Sequence, residues 1–221
     1  FMYRILAEYS NVEYHVWNLA RDDADSEFLQ TIAGDRVTVR NDFRGGCQWT
    51  GFNDVWRHYA DPEYKDCLFV KIDDDDVFFA TERFGEYLAA IDQNRGAVVS
   101  ANTVNNGAST WLEPLVWRAF EDLGLPLLDV HLSGEYAELS HRHFASHWPD
   151  MVNQPDQAVS TDDWVSINCI GMDHPTLARI AELVGTPSPR HIAGRDWPRN
   201  FPLGDEGAAN MLPRVIHRGF V

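Results

Sequence analysis

Cysteine is scarce in this chain. Only Cys47, Cys67 and Cys169 occur among 221 residues, widely spaced, odd in number and without a C-x-x-C pair. That argues against a disulfide framework and for a reducing compartment, so a cytoplasmic location is expected. Long apolar runs are missing too. None approaches the roughly 18 residues that a membrane span needs, and no signal peptide stands at the start. Positive charge is in short supply: 18 Lys and Arg face 34 Asp and Glu, a formal net charge of −16. Such a chain repels the phosphate backbone of nucleic acid, although Arg190, Arg195, Arg199, Arg214 and Arg218 gather late as a local basic patch. P-loop, G-x-G-x-x-G and nucleophile-elbow motifs are absent, as are internal repeats and low-complexity segments.

What is present is an alternation of strand and helix patterns over one domain's length. Helical spacing runs through "MYRILAEY", "DDADSEFLQTIAG", "GFNDVWRHYA", "TERFGEYLAAIDQN" with Thr81 as its expected N-cap, and "STWLEPLVWRAFEDLG" with Pro114 in its first turn. Strand patterns occupy "VEYHVWNLA", "RVTVRN", "CLFVKI" and "GAVVSANTV". That order predicts an α/β fold with an open, mostly parallel mixed sheet and helices on both faces. After Leu125 the pattern degrades. "HLSGEYAELSHRHFASHWPDMVNQPDQAVSTDD" reads as an irregular excursion, "WVSINCIGM" as a returning strand, and "HPTLARIAELVG" as a helix with Pro175 near its start. "TPSPRHIAGRDWPRNFPLGD" reads as loop, "EGAANMLPRVI" opens as a helix that Pro213 stops, and "RVIHRGFV" closes as a strand.

The segment "CLFVKIDDDDVFFA" holds four consecutive aspartates, Asp73–Asp76, between two apolar runs. In an open α/β sheet, ligands bind beyond the carboxyl ends of the strands. Period-2 alternation would let Asp73 and Asp75 converge while Asp74 and Asp76 point elsewhere. Crowded carboxylates need a cation or hydrogen-bond donors to stay ionised. A hard divalent ion, Mn²⁺ or Mg²⁺, meets that need and completes its shell with substrate phosphates. The alternative is a solvated acidic loop.

"FVKIDDDDVFFATERFGEYL" resembles the D-x-D segment of nucleotide-sugar-dependent glycosyltransferases of the GT-A fold, most sharply between Asn41 and Asn105. The resemblance implies a hexosyltransferase-type enzyme that uses a UDP- or GDP-sugar donor and a hydroxyl acceptor, such as a glycan, a lipid-linked precursor or a modified nucleobase. It implies a single catalytic domain, 1–221, with a nucleotide-sugar half over 1–124 and an acceptor half over 125–221. Asp75 becomes the expected metal ligand, Asp73 faces the metal and the donor ribose or sugar, and Asp74 shares either task. Asp205 and Glu206 in "GDEGAANML" match a late acidic pair that faces the acceptor, where a carboxylate serves as general base. The competing reading makes them an N-cap and a first-turn acid. His217 is the candidate to complete the metal shell. Asp22 and Asp23 after one strand, and Asn41 and Arg44 after the next, are the expected nucleotide contacts. Asp76 is an extra acid where the family carries an apolar residue. The family's first strand has no counterpart before Met2, so the sheet is expected to lack it or the polypeptide to be a trimmed piece.

Other constellations compete. His141, His143 and His147 suggest a zinc site or a His-rich lid, and Trp148 and Trp197 suggest an aromatic platform for an acceptor sugar. Cys169 reads as a buried structural thiol. Rival functions are another Mg²⁺-dependent phosphate enzyme, such as a nucleotidyltransferase or phosphohydrolase, and a non-catalytic Ca²⁺- or carbohydrate-binding module.

Overall fold

A computed structural model describes residues 1–44, 50–74, 76–104, 110–124, 133–197 and 201–221. The strand patterns become β1 (Tyr14–Trp17), β2 (Val37–Arg40), β3 (Leu68–Ile72) and β4 (Val98–Ala101). The later ones become β5 (Ala158–Ser160), β6 (Cys169–Asp173), the short pair β7 (His191–Ile192) and β8 (Arg195–Asp196), and β9 (Arg214–His217). The helices are α1 (Met2–Glu8), α2 (Asp23–Thr31), α3 (Thr50–Tyr59), α4 (Phe84–Gln93), α5 (Pro114–Leu123), α6 (Gly134–Val152), α7 (His174–Leu183) and α8 (Asp205–Ala209).

Five strands form the main sheet in the order β3-β6-β4-β9-β5. Strands β4 and β9 are parallel, whereas β6 runs antiparallel to both of its neighbours and β5 antiparallel to β9. The expectation of a mostly parallel sheet is therefore corrected: one ladder of four in this sheet is parallel. The reason is the route of the chain. Residues 164–168 enter at the carboxyl end of β3, where Asp73 N–H donates to the Asn168 carbonyl and Ser100 Oγ donates to the Ser166 carbonyl. Strand β6 must then run back towards the opposite edge. Strands β1 and β2 form a separate parallel pair, and β7 and β8 a separate antiparallel one.

Alternation along the strands divides the core into two layers. Val98, Ile170 and Met172 pack with Trp56 of α3, Val116 and Phe120 of α5, Leu177 and Ile180 of α7 and Ala208 of α8. Val99, Ala101, Cys169 and Val215 pack on the other face with Ile5 of α1 and Phe84, Tyr87 and Ile91 of α4. Helices thus cover both faces, as expected of an α/β chain.

Four local readings are corrected. The excursion expected after Leu125 contains a 19-residue helix, α6, capped by Ser133 Oγ accepting from Tyr136 N–H at 3.1 Å. Its composition, with Pro149 inside, reads against a helix. Burial of Tyr136, Ser140, Met151 and Val152 overrides that weak prior. Strands β5, β7 and β8 lie in segments read as loop, and β6 begins at Cys169 rather than Trp164. Thr81 does not cap α4; a 3₁₀ turn, Thr81–Arg83, comes first, with Ala80 before it.

Candidate functional site

Strands β3, β4 and β9 end at one edge of the sheet, and β6 begins there. A cavity of about 250 Å³ opens at this edge. Asp76 and Phe78 from the segment after β3 line it, with Asn102 and Thr103 after β4, Asn168 before β6, and Ser133, Tyr136, His141 and Phe144 from the start of α6 and the residue before it. Apolar strands make this wall rigid, and polar residues begin where each strand stops. Phe78 and Phe144 meet as a tilted pair, their ring centroids 4.9 Å apart, on its apolar side.

The aspartates take separate roles. Asp73 Oδ1 receives a charged hydrogen bond from Lys71 Nζ, which also donates to the Ile167 carbonyl at 2.9 Å. Asp74 is exposed in a turn, and Asp75 lies outside the described residues. Asp76, expected to point away, is half-buried and lines the cavity. The strand ends at Ile72, so the period-2 rule that assigned those directions no longer applies beyond it. Asp76 also contributes, after burial itself, to holding the Cys169 thiol far above the usual range. Asp74 acts on β1: burial first and then its charge raise the Tyr14 hydroxyl.

The expected nucleotide contacts gather as a second group. Arg44 donates to Asp23 Oδ1 at 2.6 Å and to the Asp22 carbonyl at 3.2 Å. Asn18 Nδ2 and Gln30 Nε2 both donate to Asn41 Oδ1, at 2.7 and 3.1 Å. Asp22 caps α2 by accepting from Asp25 N–H, which holds its carboxyl below the usual carboxylate range. Trp17 stacks on Phe43 at 5.1 Å beside this group. None of Asp22, Asp23, Asn41 and Arg44 lines the cavity at Asp76.

Asp205 and Glu206 stand in the first turn of α8, after Gly204 as N-cap. Trp56 Nε1 donates to Asp205 Oδ2 at 3.4 Å, and Trp164 Nε1 donates to Glu206 Oε1 at 3.0 Å. Both indoles are buried, so these half-buried carboxylates belong to the layer with α3 and α7. His217 is fully buried on β9; its Nε2 lies 2.8 Å from Asp156 Oδ1, and its Nδ1 has no partner among the described residues. His143 and His147, weighed as zinc ligands or as part of a His-rich lid, stack ring on ring at 4.3 Å, with His143 Nε2 at 3.4 Å from Glu113 Oε2. Trp148 is exposed on α6, whereas Trp197 stacks on buried Trp164 at 5.4 Å.

Among the described residues no three His, Cys, Asp or Glu side chains gather as a metal cage. Mg²⁺-type sites commonly use only one or two carboxylates, with waters and phosphates supplying the rest. Asn102, Asn168 and Phe144 escaped the sequence reading. A signal existed for one of them: Asn102 and Thr103 follow a fully buried strand, at the end where ligand sites form.

Comparisons with protein-family models, curated proteins and solved structures found no significant match. No helix among the described residues is long and apolar enough to cross a membrane.

Proposed function

We propose that this protein is a divalent-metal-dependent glycosyltransferase that moves a hexosyl group from a nucleotide-diphosphate sugar to a hydroxyl acceptor. One observation supports the reading most: the aspartate segment leaves β3 at the sheet edge where a cavity with asparagine and hydroxyl walls opens. In this proposal Mn²⁺ or Mg²⁺ bound through Asp75, with Asp73 and Asp74 nearby, would neutralise the charge on the leaving diphosphate. Lys71 holds Asp73 in place through their ion pair. The donor's nucleotide belongs with Asp22, Asp23, Asn41 and Arg44. The acceptor's base is Asp205 or Glu206, whose indole partners fix the carboxylates in one orientation. His217 serves as an interior partner of Asp156.

The experiment is thermal melting with Mn²⁺ and a panel of UDP-, GDP-, TDP- and CMP-sugars, on the wild type and on Asp75→Asn. A donor at a hundred times its Kd stabilises the native state by about 2.7 kcal/mol. For a chain of this size that raises Tm by roughly 5–10 °C. The expected result is such a shift with one donor class, dependent on metal and lost in Asp75→Asn. A metal shift with no donor effect would replace the transferase by a metal- or carbohydrate-binding module.

A further inference from the structure

No strand ladder among the described residues ties β1 and β2 to the main sheet. Rings from α3 meet the pair instead. Trp17 of β1 lies 5.2 Å from His58 and 5.8 Å from Tyr59, ring edge to ring face in both contacts. Phe43, just beyond β2, stacks on Trp17 at 5.1 Å and meets His58 at 6.4 Å. Tyr64, in the 3₁₀ turn Pro62–Tyr64 that follows α3, lies 5.5 Å from the His58 ring, with its hydroxyl 3.0 Å from His58 Nε2. One half-buried imidazole therefore touches the strand pair on one side and the turn after α3 on another.

A proton on His58 would meet several charged or titratable neighbours. Arg40 of β2 lies over the Trp17 ring at 5.0 Å and pairs with Asp42 at 3.0 Å. His15 of β1 has Nδ1 2.5 Å from the Tyr59 hydroxyl and Nε2 3.3 Å from Glu13 Oε2. Glu63 in the 3₁₀ turn is exposed. Burial, and after it the charge of Arg40, holds the imidazole below its ordinary value of 6.5, and Asp42 and Glu63 do not offset them. Neutral imidazole can accept the Tyr64 O–H, whereas the doubly protonated ring only donates. The π face of Trp17, which would attract a cation, already carries Arg40 and Phe43. The neutral ring thus favours the packed arrangement above pH 6.5, and that preference is lost as the pH falls through the lowered value.

We infer that His58 is an acid-sensitive latch: its neutral ring keeps the β1–β2 pair against α3, and its protonation loosens that pair while the main sheet stays folded. Strands β4 and β6 are buried along their whole length, out of reach of this change. Asp22 and Asp23 follow β1, and Asn41 and Arg44 follow β2, so the residues assigned above to the nucleotide move with the pair. The inference itself rests on the ring packing and not on the transferase reading.

The test is hydrogen-exchange mass spectrometry on the full chain at pH 7.5 and 5.5, with labelling times corrected for intrinsic exchange. Peptides covering Tyr14–Trp17 and Val37–Arg40 should exchange roughly fivefold faster or more at pH 5.5, and those covering Val98–Ala101 and Cys169–Asp173 should stay within about twofold. His58→Phe keeps a ring and removes the proton site; it should cut the acceleration of the strand pair to under about twofold. His15→Gln, which removes the other imidazole on this side, should leave the acceleration in place. Should His58→Phe not fold, NMR titration of the His58 ring in the wild type decides, with a midpoint below 6.5 expected. A midpoint at or above that value would overturn the proposal. So would full acceleration in His58→Phe, its loss in His15→Gln, or an equal acceleration across the main sheet.

Discussion

Cys67 and Cys169 sit in opposite environments, and their chemistry should divide accordingly. Cys67 is exposed, whereas Cys169 is buried in β6, its thiol pushed far up by burial and then by the charge of Asp76. Because the thiolate is the reactive species, iodoacetamide at pH 8 should modify Cys67 within minutes. It should reach Cys169 only in denaturant, as peptide mass spectrometry would read. Tyr59 gives a second residue-level expectation. Its hydroxyl bonds to His15 Nδ1 and accepts from Trp17 Nε1, and burial pushes its pKa up to about 12 from 10.0. Between pH 10 and 12 the unfolded chain sheds this proton while the folded one keeps it. Stability is therefore full below pH 10 and falls as the pH rises through that window. Tyr59→Phe should lose about 1 kcal/mol at neutral pH, since Trp17 Nε1–H loses its acceptor. It should show a shallower alkaline decline in urea melts than the wild type.

At the scale of elements, Gly171 controls how closely α4 lies on the sheet. A Cβ there would meet Ile91 Cδ1 at 2.1 Å and Cγ1 at 2.5 Å. Gly171 is central, paired with Val70 on one side and Val99 on the other, so neither strand can yield easily. Gly171→Ala should cost roughly 1–3 kcal/mol through overpacking, measured by urea denaturation. A smaller residue at the clash, as in Gly171→Ala with Ile91→Val, should recover part of it. Element legibility follows the same physics. The helices α1, α2, α3, α4, α5 and α7 and the strands β1 to β4 lie where the sequence pattern places them, because each carries its apolar residues at the spacing of one face or in one short run. Helix α6 was hidden because its inward residues are spread among histidines and interrupted by Pro149, so only its tertiary contacts show the face it buries. Strands β5, β7 and β8 have three, two and two residues, too short to carry any period.

For the whole molecule, the charge of −16 dominates. Self-repulsion of this size destabilises the compact state, and salt screens it over a Debye length near 10 Å at 0.1 M. Raising NaCl from 10 to 300 mM should therefore lift Tm by roughly 2–5 °C, as calorimetry would measure. A Tm that falls with salt would show that local ion pairs, such as Arg44 with Asp23, outweigh the net repulsion.

The sequence by itself determined the alternating α/β class, the position of the aspartates just after an apolar strand, and the burial of Cys169. Those are properties of one segment at a time, set by periodicity and by where an apolar run stops. The tertiary structure alone decided the direction of β6, since a short apolar strand reads alike both ways and its neighbours are chosen over long range. It also decided which acid faces the cavity. Beyond Ile72 the chain turns, alternation lapses, and Asp76 comes to lie with Asn102 and Asn168 from distant parts of the chain. The grouping of Asp205 and Glu206 with two buried indoles has the same origin: packing between layers, which no local pattern encodes.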